Sequence, residues 1–119
     1  MRAILTYHSI DESGSPISIS EDVFRSQITW LAKGHVKVVP LETLMRMPAS
    51  ANAVALTFDD GFVNFGDVAA PLLADHGLPS TLFVVTDAAG RTNRWSGRPG
   101  RTIIYADRCR FLQIGAANF

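Results

Sequence analysis

The sequence predicts a parallel α/β domain, and three observations carry that prediction. Short apolar runs rich in strand formers alternate with stretches of helical periodicity. The best run, Ala53-Val54-Ala55-Leu56-Thr57-Phe58, is apolar nearly throughout, as a strand covered on both faces must be. No segment repeats at a fixed period, so the pattern is not that of a solenoid. A chain of 119 residues, 47% of them hydrophobic, is expected to form one domain with a core of its own, which excludes disordered and collagen-like classes.

The elements follow in order. Ala3-Ile4-Leu5-Thr6-Tyr7 reads as a buried strand ending at His8. Residues 11–18, with Gly14, Pro16 and three serines, read as a loop. Ser18-Ile19-Ser20-Glu21 fits a capping box, with Ser18 as N-cap. Val23, Phe24, Gln27, Ile28 and Leu31 then fall near helical spacing, and Gly34 stops the helix. Val36, Val38 and Val39 give a short strand, and Pro40 opens a helical turn through Leu41, Leu44 and Met45. After the 53–58 strand, Phe65, Val68, Ala69, Leu72 and Leu73 mark an amphipathic helix that Pro71 should break or kink. Gly77 and Pro79 close it, and Ser80 to Thr86 reads as another buried strand. Beyond residue 87 the periodicity fades. Ile103 to Tyr105 could form one strand and Arg108 to Leu112 one helical turn.

Charge changes at the same place. Residues 1–90 hold five basic and ten acidic residues, a net of −5, whereas residues 91–119 hold six arginines and one acid, Asp107, a net of +5. The bland reading is an Arg-rich surface loop. The other is that the last 29 residues depart from the fold plan, with 3–86 the ordered part and 91–119 packing poorly. The total charge of zero favours neither nucleic acid nor an anionic membrane. The lone Cys109 rules out an internal disulfide framework and a multi-cysteine zinc site. No apolar run approaches the ~20 residues of a membrane span, and residues 1–10 do not read as a signal peptide, so a cytoplasmic protein is expected.

Asp59 and Asp60 end the best strand, at the edge where parallel α/β proteins place their sites. Alone, Asp-Asp-Gly is an ordinary turn in which one carboxylate caps a helix and the other faces water. At a strand end, however, two adjacent carboxylates can reach one cleft and divide the work. One then holds a metal, and the other takes a proton from water.

The flanks make the pair specific. Thr57-Phe58-Asp59-Asp60-Gly61, then Pro71-Leu72-Leu73, then Gly77-Leu78-Pro79-Ser80-Thr81-Leu82-Phe83-Val84 resembles the first motif region of the polysaccharide deacetylases, the NodB homology domain of carbohydrate esterase family 4. The resemblance extends more loosely to Thr6-Tyr7-His8-Ser9-Ile10 and Val38-Val39-Pro40-Leu41. It implies a partial distorted (β/α) barrel whose C-terminal half is missing, built as a single partial domain over 1–119. In that domain, 1–52 is an N-terminal strand and helix region, 53–86 the motif-bearing core and 87–119 a divergent tail. It also implies a metal-dependent hydrolase, usually with zinc, that removes N-acetyl or O-acetyl groups from an acetylated oligo- or polysaccharide. By position, Asp59 matches the general base, Asp60 the metal-binding aspartate, and His8 a substrate-side histidine at the pocket mouth. Members of the family are often exported.

The chain departs from the family in its second motif, a histidine pair that supplies two metal ligands. Its three histidines are His8, His35 and His76. His35 reads as a turn residue and His76 as a helix C-cap. Arg98-Pro99-Gly100 only faintly matches the later arginine motif, and no catalytic acid is found. The expectation is a truncated, frame-shifted or true short variant, weakly active or inactive. The alternative is a non-enzymatic remnant or sugar-binding fragment. A phosphatase of the haloacid dehalogenase type needs its aspartates two apart, and here they are adjacent.

Overall fold

The computed structural model describes residues 1–92 and 113–114. In chain order the elements are β1 (Arg2–Tyr7), β2 (Ser9–Ile10), β3 (Ser18–Ile19), α1 (Glu21–Ala32), β4 (Lys37–Val38), α2 (Leu41–Arg46) and β5 (Ala53–Phe58). A π-helical stretch (Phe65–Ala69), α3 (Ala70–Asp75), β6 (Ser80–Leu82), a 3₁₀ turn (Thr86–Ala88) and β7 (Gln113–Ile114) follow.

β5 is the hub of the sheet, and all six of its residues are buried. Parallel β1 covers one edge over its whole length, from Arg2 opposite Ala53 to Tyr7 opposite Phe58. The other edge is shared: parallel β4 pairs with Ala53 and Val54, and parallel β6 with Leu56 to Phe58. β5 is therefore covered on both edges and both faces, which is why its sequence is apolar without alternation.

The two faces of β5 bury different things. Val54, Leu56 and Phe58 join a cluster with Phe24, Ile28 and Leu31 of α1, Phe65 and Ala69 of the π-helical stretch, and Leu73 of α3. Three aromatic rings tie β1, β5 and α1 together there. Tyr7 stacks on Phe58 at 5.3 Å, and Phe24 meets both rings edge-on. Ala53 and Ala55 face the other way, and their small side chains admit Val39 and Leu44 of the α2 region. Arg2 donates to the carbonyl oxygens of Leu44 and Met47, closing the end of α2 onto the start of β1.

Several expectations need correction. The N-cap of α1 is Ser20, not Ser18: Ser20 Oγ accepts from the Val23 N–H, while Ser18 is paired in β3 opposite Ser9. Glu21 is the first helical residue, and its N–H donates to Glu12 Oε1. The segment read as a loop thus contains the start of β3, part of a small parallel β2–β3 sheet. The strand expected over 80–86 ends at Leu82 because β5 turns away beyond Phe58, leaving single bonds from Phe83 N to Phe58 O and from Val85 N to Asp60 O.

Pro71 acts as expected. α3 begins at Ala70 with the proline in its first turn, and the Ala70 N–H reaches back to the Phe65 carbonyl in the wider π pattern. Of the tail expected to pack poorly, Gln113 and Ile114 form β7, antiparallel to Ser80 and Thr81 of β6. The elements expected at 103–105 and 108–112 lie outside the described residues. No helix among the described residues is long and apolar enough to cross a membrane.

Candidate functional site

The register of β1 on β5 builds the site. Tyr7 lies opposite Phe58, and the Asp59 N–H donates to the Tyr7 carbonyl at 2.9 Å, so the next residues, His8 and Asp59, emerge side by side. His8 Nε2 lies 3.6 Å from Asp59 Oδ2, and each side chain is about one-third exposed (35% and 37%). That separation is too long for a hydrogen bond and suits an ionic contact when the imidazole is protonated.

Asp60 and Gly61 then reverse the chain with two successive left-handed residues, at φ 70° and 74°. Aspartate is among the few non-glycine residues that accept this conformation. Gly61 is required twice over, because a Cβ there would stand 3.0 Å from Val84 Cγ1. The turn therefore closes against the segment that continues β6, and both carboxylates stay half-buried at the C-terminal end of β5.

His8 also lines a recess of about 390 Å³ beside β1, together with Thr6, Ile17, Ser18 and Gln27. The other histidines are elsewhere. His35 stacks on Trp30 at 5.0 Å, and His76 is the exposed C-cap of α3. The structure thus brings together His8 and Asp59, with Asp60 next in the chain.

A catalytic zinc typically takes three protein ligands. Among the described residues no group of three or more His, Cys, Asp or Glu side chains could hold a metal ion. Outside them, the sequence adds only Asp107 and Cys109 of those types. The described residues therefore do not fit a complete zinc centre.

Sequence reasoning missed a polar network that begins one residue after His8. Ser9, fully buried, donates through Oγ to Asp11 Oδ2 at 2.5 Å and accepts from Asn64 Nδ2 at 2.8 Å. The Ser13 N–H donates to Asp11 Oδ1 at 2.9 Å. Partial burial pushes the Asp11 carboxyl pKa up, but hydrogen bonds from the Ser13 and Ser9 hydroxyls and the Ser13 N–H outweigh it, and the pKa falls to about 2. The sequence signal for this network is faint, because its members are separated by up to 55 residues.

Comparison with known proteins places the chain among relatives of one family. A family model described as polysaccharide deacetylase matches residues 46–103. YxkH of Bacillus subtilis (strain 168) is 30% identical over 92 residues, which is 73% of this chain and 33% of that protein. The poly-beta-1,6-N-acetyl-D-glucosamine N-deacetylase of Staphylococcus epidermidis is 30% identical over 80 residues, 64% of this chain and 28% of that one. Among solved structures, IcaB from Ammonifex degensii superposes with a TM-score of 0.74 at 26% identity, over 90% of this chain and 46% of that one. The chain spans about a third of the length of these curated relatives and just under half of the solved structure. Its parallel sheet and helices match part of the (β/α) barrel of those neighbours.

Proposed function

The chain belongs to the polysaccharide deacetylase family, and from that premise we propose that it acts on N-acetyl groups of a sugar polymer. In this reading, Asp59 is the general base, Asp60 the carboxylate directed at a metal, and His8 the side chain that meets the sugar. The observation that carries the reading is the His8–Asp59 pair, held at the C-terminal edge of the sheet by the β1–β5 register. The deacetylase activity named for the Staphylococcus epidermidis relative supports an N-acetylated glucosamine polymer as the substrate class.

The chemistry is amide hydrolysis. Water adds to the acetyl carbonyl and gives a proton to the Asp59 carboxylate. The carbon–nitrogen bond breaks, and acetate and a free amine leave. The departing amine takes its proton from solvent, and Asp59 returns the one it accepted to solvent, which restores the carboxylate. Zinc would be the family's means of acidifying the water. The described residues do not complete a site for it. A positioned acid or base is typically worth about 10²–10⁴-fold in rate, so the chain by itself is a weak catalyst. One observation favours a second reading, a sugar-binding fragment without turnover: no three-donor group is present among the described residues.

Acetate release from an acetylated chito-oligosaccharide, measured on the purified 119-residue chain with added zinc or cobalt, separates these readings. The expected turnover lies at least ~10²-fold below a typical enzyme's ~10 s⁻¹ and disappears in Asp59→Asn. Release that Asp59→Asn leaves unchanged would remove Asp59 as base. No release at all would favour the sugar-binding fragment.

A further inference from the structure

We propose that Asn64 is a positioning residue: its carboxamide fastens the segment carrying His8 to the turn carrying Asp59 and Asp60, through Ser9 and Asp11. The proposal rests on the reading of His8 and Asp59 as site residues, but its geometry and its test stand apart from catalysis.

The backbone ladder between β1 and β5 ends at the bond from Asp59 N to Tyr7 O. Beyond it, the two chains separate. One enters β2 at Ser9, and the other reverses through Asp60 and Gly61. Asn64 belongs to the returning chain and reaches Ser9 at 2.8 Å, so it rejoins the two segments just past the point where the ladder stops.

The direction of each hydrogen bond is dictated by its neighbours. Asp11, with its pKa lowered to about 2, is ionised near neutral pH and can only accept. Ser9 must therefore spend its single proton on Asp11, and its oxygen is left to accept from Asn64. Only the Nδ2 end of the amide can satisfy it, which fixes the orientation of the side chain. The chain of bonds ends on a carboxylate, so its last link is charge-assisted.

The strut is anchored at both ends. Ser9 and Asp11 are held in the backbone by bonds to Ile17 and Ile19 across the β2–β3 sheet. Ile10 and Phe65, the residues next to Ser9 and Asn64, lie in the same buried cluster. The small sheet, which places Ile10 in the core, also holds the acceptor that Asn64 needs. With the strut in place, His8 has little freedom to swing away from Asp59.

The test is a coupling measurement by NMR on the metal-free, full 119-residue chain. Replacing Asp59 by Asn should shift the His8 ring-proton resonances, because the two groups are neighbours. In an Asn64→Ala background the same replacement should shift them by less than about half as much, as expected when a double-mutant cycle cuts a physical link. Ile10→Val, which disturbs the neighbouring core and leaves the strut whole, should preserve the coupling. Ser9→Ala breaks the strut at its centre and is read in the same way should Asn64→Ala not fold. Full coupling in Asn64→Ala or Ser9→Ala overturns the proposal, as does an equal loss in Ile10→Val. Failure to release acetate would count against the proposed function and leave this inference untouched.

Discussion

The segments that leave β1 and β5 side by side are built on different principles. The turn after β5 is imposed by the backbone: two consecutive left-handed residues, one a glycine pressed against Val84, permit only one path for the chain. The segment after β1 has no such constraint. It is held by hydrogen bonds: the Ser9 and Asp11 N–H groups donate to the Ile17 and Ile19 carbonyls, Ser9 Oγ is bonded to Asp11 and Asn64, and the Ser13 N–H closes onto Asp11. Backbone-imposed geometry is written into adjacent residues. Geometry imposed by hydrogen bonds is spread over distant ones, and it responds to pH.

The comparison predicts the largest loss at the turn. Gly61→Ala should destabilise the chain by about 2–4 kcal/mol in urea unfolding, summing the left-handed penalty and the overpacking against Val84. Adding Val84→Ala should recover the steric part and leave the conformational part. If Gly61→Ala were neutral, the turn would not be backbone-imposed.

The segment after β1 should yield a smaller loss. Ser9→Ala removes a donor from Asp11 and an acceptor from Asn64 in a buried place, at a cost of about 1–3 kcal/mol. Its pH signature is distinct. The Asp11 pKa is lowered from 3.8 to about 2, so its contribution is fully present above the unfolded value and is lost as pH falls toward 2. The dependence of stability on pH between roughly pH 5 and pH 2 should therefore flatten in Asp11→Asn. A slope identical to that of the parent chain would show that Asp11 is not held as described.

This contrast also explains what could be read from the sequence. The buried β5 and the Asp59-Asp60-Gly61 turn were legible because each is a local run with one physical explanation. The helix 21–32 was legible by its spacing, but its cap was misplaced. Ser18 and Ser20 both suit the role, and only the pairing of Ser18 with Ser9 decides between them. The apolar run after Ser80 overstated β6, because where a strand ends depends on where its partner turns. β2 and β3 are two residues each, too short for any period to show. The nearness of His8 to Asp59 follows from the β1–β5 register, which composition does not reveal. Asn64 and Ser9 meet across 55 residues, and nothing near either of them announces it.

The smallest effect belongs to the cap. Ser20→Ala should cost about 0.5–1 kcal/mol, near the lower end for an N-cap because the bond to Val23 is long at 3.4 Å. Thermal melts comparing it with Ser18→Ala in the same buffer check the assignment. A larger loss from Ser18→Ala would return the cap to Ser18.

The site depends most on residues 8 and 59 meeting at the ends of neighbouring strands. Parallel strands lie about 4.8 Å apart, within the span of roughly 4.4–6.8 Å between Cα atoms that a disulfide bridges. With Cys109→Ser removing the native thiol, the chain carrying His8→Cys and Asp59→Cys should close an intramolecular disulfide under mild oxidation. Thiol titration and the mass of the intact chain would report it. Rapid, complete loss of both thiols in the monomer is the predicted result, and two thiols left free in the folded chain would contradict the site.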